Sequence, residues 1–166
     1  MEKWKQSNHP SGLAFYEKRF FVEPFVILHG DVGCGKTELA TTIASPLAKK
    51  LDKEIICFET PSDIRGGGFV GELSQRITAA FEQATNKTGR AGLGILIIDE
   101  GDDLATSRSQ NQAHHEDRAG VNVLIKEIDQ IKKDKIRLAV ILITNRKSSL
   151  DAAVIRRSFL TLEFCR

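Results

Sequence analysis

Residues 25–40 read FVILHGDVGCGKTELA: an apolar run that stops at a glycine, eight residues holding three glycines and a lysine, and a return to helix-like spacing. An uninterrupted apolar run of strand length suits a strand buried on both faces. The eight residues Gly30 to Thr37 match GxxxxGK[ST] between a predicted strand and a predicted helix, the context in which that pattern has a mechanism. Glycines let the backbone curl until successive N–H groups point inward at phosphate oxygens, and the following helix N-terminus adds partial positive charge. Lys36 is then placed to reach the β- and γ-phosphates, and the Thr37 hydroxyl to hold Mg²⁺.

Working outward, four more apolar runs follow: EIICFE (54–59), GILIIDE (94–100), LAVILITN (138–145) and the weaker FLTLEF (159–164). Between them, Gly35 to Leu51, Val70 to Thr85 and Asp117 to Lys133 carry apolar residues at spacings of three and four, as crossover helices would. Strand, helix, strand repeated in this way predicts a mainly parallel sheet. Two polar stretches, 60–68 and 105–118, read as loops.

The third run delivers Asp99 and Glu100 to the carboxyl end of a central strand, where open α/β sheets bind ligands. Asp99 is placed to join the magnesium shell, and Glu100 to polarise a water for attack on the γ-phosphorus. The fourth run ends in Thr144 and Asn145. The Asn145 amide is a candidate to hold that water or a γ-phosphate oxygen, with a plain strand-end turn residue as the alternative.

In this order and spacing the motifs resemble those of AAA+ ATPases. GDVGCGKT resembles the Walker A segment, and ILIIDEGDDL (95–104) resembles Walker B with the additional Asp102. ITN (143–145) resembles sensor 1, and LDAAVIRRSFLTLEF (150–164) resembles the segment that carries the arginine finger. The resemblance runs from about Phe25 to Phe164. It implies an α/β P-loop sandwich with a five-stranded parallel sheet in the order 5-1-4-3-2, flanked by helices. It also implies ATP and Mg²⁺ as ligands. Gly30, Asp31, Val32, Gly33, Cys34, Gly35, Lys36, Thr37, Glu38 and Asp99 would surround the nucleotide, with Thr37 and Asp99 on the metal. Glu100 would be the catalytic base and Asn145 sensor 1. Arg156 and Arg157 are both finger candidates, reaching the γ-phosphate of a neighbouring subunit, and spacing leaves the choice open.

Phe69, Val70 and Gly71 resemble the aromatic, aliphatic, glycine pore loop of AAA+ translocases, with Phe69 gripping a polypeptide; an aromatic staple under the next helix is the alternative reading. Asn122 to Lys133 and Ile141 to Asn145 look closest to the AAA+ ATPases that remodel HORMA-domain proteins, including bacterial relatives in anti-phage systems. The resemblance therefore implies an ATP-hydrolysing core, working in a homo-oligomeric, hexameric ring on a protein substrate. A nucleotide-dependent switch with little hydrolysis and a DNA-acting helicase loader are the rival readings.

Composition is compatible with this and narrows it. With 166 residues the chain has the size of one domain, read as an N-terminal segment 1–24 and a large ATPase subdomain 25–166. The chain stops shortly after LTLEF, so the helical lid with its sensor 2 arginine is expected to be absent. With 24 basic against 22 acidic side chains, a nucleic-acid surface is disfavoured. No apolar run approaches the length of a membrane span, and the N-terminal residues lack a secretory h-region, so a cytoplasmic location is expected. Cys34, Cys57 and Cys165 form no CxxC pair and read as reduced thiols. His114, His115, Glu116 and Asp117 lack metal-binding spacing.

Overall fold

A computed structural model describes residues 23–60, 72–89, 92–99, 101 and 115–165. Strand β1 (Phe25–Gly30) leads through the glycine loop into helix α1 (Lys36–Thr42), with α2 (Ala44–Leu51) continuing from it. Strand β2 (Ile55–Glu59), helix α3 (Glu72–Thr88) and strand β3 (Leu93–Ile98) follow. Helix α4 (His115–Asp134), strand β4 (Leu138–Thr144), the short helix α5 (Ala152–Ile155) and strand β5 (Leu160–Phe164) complete the set.

The five strands form one sheet in the order β2-β3-β4-β1-β5, every neighbouring pair parallel. Counted from the other edge this is 5-1-4-3-2, as the resemblance implied. Alternation along each strand sends side chains to opposite faces. Phe25 and Ile27 of β1, Leu96 and Ile98 of β3 and Leu138, Val140 and Leu142 of β4 meet α3, α4 and α5 on one side. Val26, Leu28, Ile95, Ile97, Ala139, Ile141 and Ile143 meet α1 and α2 on the other. Both faces are covered, which explains why all seven residues of β4 and all six of β3 are buried and why neither run alternates with polar residues.

Where α3 and α4 cross, Gly120 allows the approach: a Cβ there would stand 2.7 Å from Leu73 Cδ2. The helix read over residues 35–51 is interrupted at Ile43, which ends α1 and precedes α2. Pro46 is the physical reason, because it has no N–H to offer Thr42 and its ring crowds that carbonyl. Helix α4 starts at His115, so residues 115–118 of the stretch read as a loop are helical.

Candidate functional site

Strand β1 ends on Gly30 at φ 136°, and a Cβ at this position would overlap the Phe164 carbonyl of β5. Gly33 and Gly35 also have positive φ, of 78° and 89°. L-residues with a side chain rarely adopt such angles, so the motif's glycines are what allow the loop to curl. Gly35 precedes α1 without a side-chain cap, which leaves the first N–H groups of the helix facing the loop. Inside the curl, the Lys36 ammonium donates to the carbonyls of Gly30 (2.8 Å) and Asp31 (2.6 Å) and lies 3.6 Å from Cys34 Sγ. Lys36 is 5% exposed, so its charge is held at the centre of the loop.

The Thr37 hydroxyl donates to Asp99 Oδ2 at 2.9 Å, joining α1 to the carboxyl end of β3. A hydroxyl and a carboxylate at this separation are the hard oxygen donors that Mg²⁺ accepts alongside water and phosphate. Among the described residues no cluster of three His, Cys, Asp or Glu side chains could hold a metal by protein ligands alone.

These groups share one cleft of about 820 Å³, lined by Val32, Gly33, Gly35, Lys36, Thr37, Glu38, Glu59, Thr60, Asp99, Ile143 and Asn145. Asn145 lines it from just past the end of β4. Glu59 and Thr60 were not foreseen, and Ile143 entered only as the first residue of the ITN run. All three follow the rule that picked out Asp99, since each lies at the carboxyl end of a parallel strand, but Glu59 and Thr60 belong to no motif. Thr60 is 6% exposed, and its hydroxyl has no hydrogen-bond partner among the described residues.

His29, also unforeseen, lies in register with Thr144 and Glu163 just below the loop. Burial lowers its pKa, the Lys147 charge adds to this, Glu163 opposes it and Lys36 lowers it further. On balance these surroundings favour the neutral imidazole beside the glycine loop.

Arg156 and Arg157 do not line the cleft of their own chain. Leu150 and Val154 plug this segment into the core, and Asp151 caps α5 by accepting from Ala153 N at 2.7 Å. Arg157 then turns back onto Asp129 of α4, with Nη2 to Oδ2 at 2.9 Å. Donating hydrogen bonds to the Asp129 carboxylate raises the Arg157 pKa above the usual arginine value. Arg156 is exposed. Glu100, Phe69, Val70 and Gly71 lie outside the described residues.

A glycine loop holding a buried lysine, tied to a strand-end aspartate beside a strand-end asparagine, is a nucleotide-phosphate geometry. Residues 26–166 match the model of the ATPase family associated with various cellular activities (AAA). The chain belongs to the AAA family. Among AAA proteins it is 42% identical to CD-NTase-associated protein 6 of Escherichia coli strain MS 115-1, over 100% of this chain and 56% of that protein. The proteasome-associated ATPase of Frankia casuarinae is 30% identical over 79% of this chain and 23% of its own length. A chain in the structure of the E. coli MS115-1 HORMA:CdnC:Trip13 complex superposes with a TM-score of 0.83 at 43% identity, over 98% of this chain and 55% of that one. Rhizobiales Trip13 gives a TM-score of 0.66 at 34% identity, over 95% and 56%. The chain thus spans about half the length of CD-NTase-associated protein 6 and of the matched chains in these two structures.

Proposed function

We propose that this chain is the large ATPase subdomain of a Trip13-like protein remodeller that binds ATP with Mg²⁺, hydrolyses it, and works on a HORMA-domain protein from within a ring. The observation that carries the reading is the bond from Thr37 to Asp99, because it sets the phosphate loop and the strand-end carboxylate around one cleft that also holds Lys36 and Asn145. The resemblance to chains from HORMA:CdnC:Trip13 and Trip13 structures supports a protein as the substrate. A cytoplasmic setting belongs to this reading and agrees with three free cysteines.

In this reading the loop N–H groups and the first turn of α1 hold the β- and γ-phosphates, and Lys36 exchanges its loop carbonyls for phosphate oxygens. Thr37 and Asp99 hold the metal, which when bound neutralises charge developing on the phosphate oxygens. Glu100 takes the proton of the attacking water, and Asn145 orients that water or a γ-oxygen. An arginine from a second copy stabilises the transferring phosphoryl group. Phe69, Val70 and Gly71 transmit the change to the polypeptide. The division into a segment 1–24 and an ATPase subdomain from residue 25 is part of the same proposal.

Phosphate release from Mg-ATP tests it, with Lys36→Ala and Glu100→Gln as references, alongside sedimentation of Glu100→Gln with and without ATP. Release that both variants abolish, with ATP-dependent association of Glu100→Gln, is the expected result. Tight nucleotide binding with neither release nor association would make the chain a binding switch instead.

A further inference from the structure

Arg156 and Arg157 are adjacent in sequence but have opposite surroundings. Arg157 spends its guanidinium within its own chain: Nε donates to Asp129 Oδ1 at 2.9 Å and Oδ2 at 3.1 Å, and Nη2 donates to Oδ2 at 2.9 Å. Its Nη1 donates to Ala153 O at 3.0 Å, satisfying a carbonyl of the α5 C-terminus. All three nitrogens are therefore engaged, and a phosphate could recruit Arg157 only by breaking a two-pronged ion pair together with a helix cap. Arg156 is exposed, and its guanidinium makes no hydrogen bond or ion pair among the described residues. Successive residues at a helix end point about 100° apart, so fixing Arg157 against α4 fixes the direction in which Arg156 leaves the surface. The base is rigid, because Leu150 and Val154 are buried at 4% and 0% exposure and Asp151 caps α5.

We propose that Asp129 and Arg157 form a clamp between α4 and α5 that aims Arg156 at the γ-phosphate bound by a second copy of the chain. Arg156 is then the residue that touches the nucleotide, and Asp129 and Arg157 are positioning residues. This rests on the reading of the chain as a ring ATPase. The clamp itself is half-exposed, with side-chain exposures of 32% for Arg157 and 52% for Asp129, so losing it should redirect Arg156 without unfolding the domain.

The test measures phosphate release by Arg156→Ala, Arg157→Ala, Asp129→Ala and the exchanged pair Asp129→Arg with Arg157→Asp, together with mixtures of Arg156→Ala and Glu100→Gln chains. Arg156→Ala should lose at least ~100-fold in turnover while keeping its affinity for ATP. Mixing with Glu100→Gln chains, which still supply Arg156, should restore turnover above that of either variant alone. Asp129→Ala and Arg157→Ala should each lose roughly 3- to 10-fold, about what misplacing an otherwise intact group costs, and the exchanged pair should recover most of that loss. An Arg156→Ala chain as active as the wild type, or an exchanged pair no better than Asp129→Ala, overturns the proposal. A wild-type chain that neither assembles nor releases phosphate overturns the ring-ATPase reading instead. The clamp is then read in the single chain by NMR, where the Arg157 Nε–H should exchange with water more slowly than that of Arg156 and lose this protection in Asp129→Ala. Equal exchange of the two overturns the clamp.

Discussion

Thr37 and Asp99 lie 62 positions apart in the chain, yet the Thr37 hydroxyl rests 2.9 Å from the Asp99 carboxylate. The contact is the seam between the glycine loop and the central strand, and under the proposed function it should matter for ligand binding more than for stability, because both groups face an open cleft. Thr37→Ala should leave the melting temperature within a few degrees of the wild type and weaken ATP binding in the presence of Mg²⁺ by about 10-fold, one charge-assisted interaction of about 1.4 kcal/mol. Binding measured without Mg²⁺ should change much less. Calorimetric titration with and without the metal checks this, and equal losses in both would remove Thr37 from the metal site.

Two glycines of the same loop should differ sharply when replaced. At Gly30 a side chain meets both an unfavourable φ of 136° and the backbone of Phe164, which cannot rotate away. Gly35 has an unfavourable φ of 89° but nothing within 4 Å of a new Cβ. Backbone strain alone costs about 1–3 kcal/mol. Gly35→Ala should therefore destabilise by about that amount, whereas Gly30→Ala should exceed it because β1 and β5 must separate. Urea denaturation of the two variants gives the comparison.

His29 should make the fold sensitive to mild acid. Its pKa is lowered in the folded chain, first by burial, then by Lys147 and Lys36, with Glu163 partly opposing. A base with a lowered folded-state pKa contributes stability above its unfolded pKa, near 6.5, and that contribution is lost as pH falls from there toward the folded value. The chain should therefore weaken as pH falls below about 6.5, and a His29→Gln chain should show a flatter profile over the same window. Thermal melts from pH 7.5 to pH 5 measure it, and parallel profiles for the two chains would show that other groups control the acid response.

Leu142 tests the core beneath the cleft. It is 0% exposed on β4, in register with Ile27 and Ile98, and a Cβ on Gly101 would stand 2.6 Å from its Cδ1. Leu142→Ala should cost about 2–5 kcal/mol, the usual range for a buried leucine whose neighbours cannot close the space. The urea midpoint should fall with its slope unchanged.

Local chemistry carried most of the architecture. The apolar run at residues 25–30 became β1 with the expected bounds, and GDVGCGKT became a glycine loop opening a helix, since glycine and lysine at these spacings act through their own backbone. The order 5-1-4-3-2 also emerged as expected, because the motifs that resemble AAA+ ATPases bring that topology with them. Pro46 was equally local, and it divides the helix that periodicity alone had joined.

What depended on distant partners was not legible in the chain alone. Nothing near His29 announces that Lys147 and Glu163 will surround it, and nothing near Thr60 announces a buried hydroxyl at the nucleotide cleft. Arg156 and Arg157 are the sharpest case. Composition and spacing treat them alike, and they differ only because Asp129, 28 positions away, comes within hydrogen-bonding distance of one of them. A residue's propensity travels with its neighbours in sequence, and the sequence alone determined the strands, the glycine loop and the strand-end carboxylate. A side chain's charge state and free valences are set by what packs against it, and only the tertiary structure decided which arginine faces outward.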